Sequence, residues 1–232
     1  MEYVYHGSKT HGIKSMEPRP STHGTYVYAT ESKAIAIVMS KRCGDDATYS
    51  FMRNKEGTYD LIERLPHAFD KSYSNDFSLY TLDATNFKDI KTGFNEVVSD
   101  KTEKVVKEEI FPSAMDAIKK LEEEGKIKIY RYPERPDYIP EDDMDLVEKV
   151  KYVHDKLGKM NDAFSFYRWI FLHPNIENEF RKLAKEYNID LPWNYDEIKN
   201  FYVARQQDNP DHECYIDNAE EMYKLTHQEK KL

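Results

Sequence analysis

Apolar and polar residues alternate in short runs through the first 132 residues, then shift to a spacing of three and four. Residues 3–6 and 25–29 are β-branched and aromatic, which predicts two strands. Residues 31–41 follow with Ala34, Ile35, Ile37 and Val38 at helical spacing, and Thr30 is the expected N-cap. Residues 48–52 and 58–62 flank Arg53-Asn54-Lys55-Glu56-Gly57, which has the composition of a hairpin turn. Residues 77–82, 94–98 and 104–110 read as three further strands. Ser113 caps a helix running to Glu124 and closed by Gly125, and residues 126–132 alternate as a last strand.

The second part of the chain is helical in pattern. Residues 142–157 end at Gly158, residues 161–187 break near His173-Pro174, and residues 196–207 and 217–228 form two more helices. Between the two parts, residues 133–141 hold Pro133, Pro136 and Pro140 among four charges. Such a stretch neither continues a helix nor sits in a central strand, so a boundary is expected there. Residues 1–132 and 142–232 are the two expected domains, joined by a Pro-rich linker at 133–141. Phe164, Phe166, Tyr167, Trp169, Ile170 and Phe171 are too many for one stripe, and are expected to build the helical domain's core and its contact with the first domain. A partner-binding groove there is the sharper alternative.

Composition narrows the class. Of 232 residues, 39% are hydrophobic and 33% charged, which is a globular composition. No run approaches the roughly 18 apolar residues of a membrane helix, so no membrane association is expected. Met1-Glu2-Tyr3-Val4-Tyr5 has neither a basic region nor an apolar leader, so no signal peptide is expected. Cys43 and Cys214 are the two cysteines, which argues against a disulfide framework and for a cytoplasmic protein. No Cys/His cluster has zinc spacing, and His154-Asp155 lies on a charged helix without further histidines, so no metal is expected. The net charge of −9 opposes capture of nucleic acid by the protein as a whole.

Three segments carry candidate chemistry. Tyr5-His6-Gly7-Ser8 ends the opening strand, where the glycine is expected to permit a sharp turn and close ligand approach. Gly24-Thr25-Tyr26-Val27-Tyr28-Ala29-Thr30 is a strand leading into a helix, with Tyr26 and Tyr28 on one face. Asn95-Glu96-Val97-Val98-Ser99 sets a carboxylate on a later strand. This order resembles the ADP-ribosyltransferase superfamily, in its branch with a His-Tyr-Glu triad, which includes the diphtheria-toxin-like and poly(ADP-ribose)-polymerase-like enzymes. Together with the strand at residues 77–87, it is similar to small bacterial and phage proteins related to that superfamily. The resemblance covers roughly residues 1–132.

What the resemblance implies is an α+β domain with split antiparallel β-sheets around an NAD cleft, followed by an all-α C-terminal domain. NAD is then the substrate, and an unknown protein or nucleic acid the acceptor. His6 would hold the ribose, Tyr28 or Tyr26 would stack on nicotinamide, and Glu96 would be the catalytic carboxylate. Gly7, Ser8 and Thr30 would line the cofactor, and Arg19 would reach the pyrophosphate. The chemistry is coherent, because breaking a nicotinamide–ribose bond develops oxocarbenium character that a carboxylate stabilises. In many family members the tyrosine lies two positions before the alanine, where this chain has Val27. Glu103, Glu108 and Glu109 are rival carboxylates. Two other functions fit the same superfamily fold: RNA 2′-phosphotransfer, and a catalytically inactive binding module.

Overall fold

A computed structural model describes residues 2–21, 23–41, 47–91, 95–208 and 224. The protein is mixed α+β, with antiparallel sheets and seven α-helices among the described residues. The first elements are β1 (Tyr3–Ser8), β2 (Ser15–Met16), β3 (Arg19–Ser21), β4 (Gly24–Thr30) and α1 (Lys33–Val38). Then come β5 (Tyr49–Arg53), β6 (Tyr59–Glu63), α2 (Ala68–Ser72), β7 (Phe77–Asp83), β8 (Glu96–Ser99) and β9 (Glu103–Phe111). The chain continues through α3 (Ala114–Glu123), β10 (Ile127–Tyr130), α4 (Met144–Leu157), α5 (Ala163–Leu172), α6 (Glu177–Glu186) and α7 (Tyr195–Asp208). Phe94, Cys43, Cys214 and the helix expected at 217–228 lie outside the described residues, except for position 224.

Two compact units divide the chain. One holds residues 1–44, 53–59 and 69–128, and the other residues 45–52, 60–68 and 129–232. In the first, seven strands join in the order β2-β9-β7-β1-β4-β3, with β8 also pairing β4. Val4, Val27, Ala29, Tyr80, Leu82 and Val97 bury one side of this sheet together with Met16. They occupy alternate positions along their strands, as a period of two requires. Helix α1 lies against β1, β4 and β7, and α3 lies against α1. In α3 the buried positions Ala114, Ala117, Ile118 and Leu121 form one stripe, and Ser113 caps it by accepting from Asp116 N–H at 3.1 Å.

Gly7 sets the distance between α1 and β1. A Cβ built there would stand 2.0 Å from the Ala36 carbonyl oxygen and 2.9 Å from Ser40 Cβ. Gly7 sits within a strand and has no positive φ, so its role differs from the expected turn and ligand contact. The group that approaches Gly7 is the helix backbone. The N-cap of α1 also differs from the expectation. Ser32 caps it, its Oγ accepting from Ile35 N–H at 3.3 Å, while Thr30 ends β4 and its Oγ1 accepts from Ser32 N–H at 3.2 Å. The helix lies inside its expected span of 31–41 but is shorter, because β4 runs one residue past Ala29 and the cap falls two residues after Thr30.

The second unit holds most of a three-stranded sheet, ordered β10-β6-β5, and the helices α4 to α7, so the later helices do not form the expected all-α domain. The hairpin between β5 and β6 closes as its turn residues predict, with Gly57 at φ +86° and Asn54 Oδ1 accepting from Glu56 N–H and Thr58 N–H. Helix α4 ends at Gly158 in the left-handed conformation, and a single turn at Pro174–Ile176 separates α5 from α6. Five of the six residues expected to form this core, Phe166, Tyr167, Trp169, Ile170 and Phe171, are buried, while Phe164 is half-buried. Residues 133–141 are folded into this unit rather than left as a tether. Ile139 is buried, Tyr138 Oη donates to Asp60 Oδ2 at 2.6 Å, and Arg135 donates to the Pro140 carbonyl at 2.8 Å.

Arg64 is the buried charge at the centre of that unit. It donates to Ser50 Oγ at 2.9 Å, to Asp143 Oδ1 at 3.2 Å and to the Asp145 carboxylate. Asp143 is further bound by Arg135 and Asn175. A buried cation persists only when its donors are used, as they are here. Arg64→Met leaves two carboxylates short of a partner and should lower stability by about 3–5 kcal/mol, read from urea unfolding followed by tryptophan fluorescence. Gly7→Ala should cost about 3 kcal/mol through overpacking, and an unchanged midpoint would show that α1 does not bear on β1.

Candidate active site

Strands β1 and β4 share one registered pair, Tyr5↔Thr30. Past it the described register between them ends, and a side chain spans the two strands. His6 Nδ1 lies 2.8 Å from the Tyr28 carbonyl oxygen. A carbonyl oxygen only accepts, so Nδ1 carries the proton and Nε2 keeps a lone pair. Burial pushes the His6 pKa below its ordinary value. The bond to Tyr28 opposes that shift, and the charge of Arg19 reinforces it. The imidazole is therefore neutral near pH 7, with Nε2 able to accept a hydrogen bond from a hydroxyl.

The other candidate residues sort onto the leaf formed by β3, β4 and β8. Arg19 pairs with Tyr26, Tyr28 with Val98, and Thr30 with Glu96. Cross-strand partners share a face, and i,i+2 positions do too. Arg19, Tyr26, Tyr28 and Glu96 thus share a face, and Val27, Ala29 and Val97 turn to the core side. The Tyr26 and Tyr28 rings meet edge to face, 6.1 Å apart. Tyr26 lies over Gly24, where a Cβ would stand 2.7 Å from its ring. Tyr28 Oη donates to the Gly24 carbonyl and accepts from His23 N–H, both at 3.3 Å. No described residue pairs with Glu96, which is half-buried. Strand β8 lies two strand spacings from β1, so the His6 and Glu96 backbones are about 10 Å apart.

Two candidates are engaged locally. Thr30 is buried, with its Oγ1 on Ser32 N–H. Ser8 Oγ accepts from Thr10 N–H at 3.1 Å and shapes the loop after β1. Arg19 stands on an edge strand beside Pro20, a position where a missing N–H costs no ladder bond.

The rival glutamates differ in their settings. Glu103 is buried and accepts from the Ser99 hydroxyl. Glu109 pairs with Lys33 at 3.3 Å and Lys107 at 3.4 Å. Glu108 is the centre of a network that sequence reasoning missed. Its Oε1 accepts from Gly12 N–H at 2.8 Å and Ser78 Oγ at 2.7 Å, and lies 3.0 Å from Tyr80 Oη. The Gly12 and Ser78 bonds hold its carboxyl below the usual range. Tyr80 Oη also donates to the Thr10 carbonyl at 2.7 Å and accepts from Ile13 N–H. His6 pairs with Tyr80, and Tyr80 with Glu108, so the three form one row across β1, β7 and β9.

His11 joins this row from the loop, with Nδ1 2.6 Å from Ser78 Oγ and Nε2 3.0 Å from Asp76 Oδ2. The order Ser-His-Asp invites comparison with a nucleophilic triad. Ser78 is fully buried, however, and its hydroxyl is held by Glu108, so no substrate reaches it. The cluster instead pins the loop that follows Ser8. The available signal was Ser78 and Tyr80 at alternate positions of a strand that also holds Phe77, Leu79 and Leu82. His154 binds Asp155 at 3.0 Å and stacks on Tyr187. Among the described residues no group of three His, Cys, Asp or Glu is placed to hold a metal ion. No described helix is long and apolar enough to cross a membrane.

No family model matches the chain, and neither a curated protein nor a solved structure matches it.

The depressed pKa of His6, and that of buried His173 in the second unit, makes stability pH-dependent. Each folded histidine binds a proton less readily than the unfolded one, whose value is about 6.5. Their contribution is complete above that pH and declines as pH falls through it toward the folded values. His6→Asn keeps a donor for Tyr28 and removes the titration. Urea midpoints between about pH 8 and pH 5 should fall less steeply for the variant than for wild type. Equal slopes would mean that His6 does not titrate with folding.

Proposed function

We propose that this chain binds NAD and cleaves its nicotinamide–ribose bond, passing ADP-ribose to a protein or nucleic-acid acceptor or to water. The observation that carries this reading is His6 spanning β1 and β4 with its Nδ1 on the Tyr28 carbonyl, while Arg19, Tyr26, Tyr28 and Glu96 share one face of the adjoining leaf. In this reading the sheet opens between β1 and β4 as an NAD cleft, in the manner of an ADP-ribosyltransferase.

Each residue then has a chemical task. His6 Nε2 accepts from a ribose hydroxyl, because its other nitrogen is committed to Tyr28. Tyr28, or Tyr26 beside it, offers a ring face to the nicotinamide cation. Arg19 presents a forked donor to the pyrophosphate. As the bond from ribose C1′ to the nicotinamide nitrogen breaks, its electron pair leaves with nicotinamide, and the ribose gains oxocarbenium character. The Glu96 carboxylate stabilises that charge and takes the proton of the attacking hydroxyl or water. Glu96 suits the task because no described residue neutralises it.

Nicotinamide release from labelled NAD tests the reading. Wild type should turn over, with or without added lysate, and Glu96→Gln should slow turnover by about 100-fold or more. Calorimetry should find Glu96→Gln binding NAD as wild type does, and Tyr28→Ala binding it more weakly. NAD binding without turnover in wild type would replace the enzyme by a binding module. No binding at millimolar NAD would overturn both.

A further inference from the structure

Among the described residues, strand β9 is paired along one edge and open along most of the other. Its inner edge follows β7 from Phe77↔Phe111 to Leu82↔Val105. Its outer edge meets β2 only at Met16↔Glu103 and Ser15↔Lys104, and then Val105 N–H donates to the Lys14 carbonyl at 3.0 Å. Past Val105, no described residue hydrogen-bonds to the outer backbone of β9. An open edge of this kind is a template for another strand. It is also where this unit exposes its large apolar side chains, with Val106 at 55% and Ile110 at 65% exposure. Lys107 and Glu109 lie between them and carry opposite charges.

We infer that this edge pairs with the same edge of a second copy of the chain, antiparallel, about a two-fold axis at Glu108. In that register Val106 faces the partner's Ile110, and Lys107 faces the partner's Glu109. The symmetry repeats each pair. A slip of one residue in one direction sets Val106 against a glutamate. A slip in the other sets Lys107 against an isoleucine and brings two glutamates together. Only the centred register matches apolar with apolar and cation with anion away from the axis. At the axis itself, the Glu108 carboxylate is turned onto its own chain, where Gly12 N–H and Ser78 Oγ donate to it and offset its charge. The register shift opposite Thr81 and Leu82 bends β9 at Val106 and ends the regular ladder there. The contact is therefore short, and association is weak and concentration-dependent.

Sedimentation velocity on the full chain over a wide concentration range tests this. Wild type should show a reversible monomer–dimer equilibrium. Lys107→Glu and Glu109→Lys should each raise the dissociation constant about tenfold. The double charge swap should restore it to within a few-fold of wild type. Ile110→Lys should abolish the dimer, with circular dichroism confirming that each variant is folded. The pair Val106→Cys and Ile110→Cys in one chain should give an oxidised dimer that wild type, with its own two cysteines, does not form. A chain that stays monomeric at every concentration overturns the inference. So does a dimer indifferent to Lys107→Glu.

Discussion

The contact between Gly7 and the Ala36 carbonyl is the constraint on which the first unit turns. Helix α1 follows directly from β4, so it has little freedom in where it lies. For it to cover β1, a backbone carbonyl must occupy the space where any other residue would place a Cβ. The missing side chain permits that approach, and β1 is thereby fixed between β7 and β4 at the middle of the sheet. Because β1 alternates, Gly7 faces the helix while its neighbour His6 turns away from it. The residue that closes the packing and the residue that bridges to Tyr28 are thus set by the same strand geometry.

Two polar networks do comparable work in the two units, the first part-exposed and the second buried. In the first, one oxygen of Glu108 gathers Gly12, Ser78 and Tyr80, and His11 extends the chain of bonds to Asp76. The loop after Ser8 is held by backbone groups that have no ladder to join. In the second, Arg64 gathers Ser50, Asp143 and Asp145. The Arg64 network is dense because a half-satisfied charge in a low dielectric is worse than none. The two networks differ in chemistry, since a carboxylate collects donors from a loop while a guanidinium collects carboxylates from a helix start. His173, buried beside the second network, stays neutral for the same reason that His6 does: desolvation disfavours its charged form.

The site residues are linked through backbone rather than through one another. His6 touches Tyr28 by its carbonyl, and Tyr28 turns its own hydroxyl back to the start of β4. Glu96 stands at the head of β8, across β4 from β1. Tyr26, Tyr28 and Glu96 share the face of Tyr5 and Gly7, and His6 shares the other face with Val4 and Tyr80.

Local chemistry made several elements legible in the sequence alone. Asn54 to Gly57 specified the β5–β6 hairpin, Ser113 the start of α3, Gly158 the end of α4, and His173-Pro174 the break between α5 and α6. Each of these is decided within a few residues by turn geometry or capping. His6 and the Tyr26–Thr30 strand were visible for the same reason, as residue types at fixed spacings. What depended on distant partners was invisible. Strands β2 and β3 are two and three residues long, and β2 exists only because β9 runs beside it. The hairpin of residues 45–68 contributes mostly to the unit that holds the later helices, which no local pattern encodes. The sequence determined which residues have a polar or flexible character near one another along the chain. Tertiary structure alone decided that a carbonyl holds His6, that a helix backbone presses on Gly7, and that Glu108 binds a loop some ninety residues away, because those bonds join groups that only the folded sheet brings within reach.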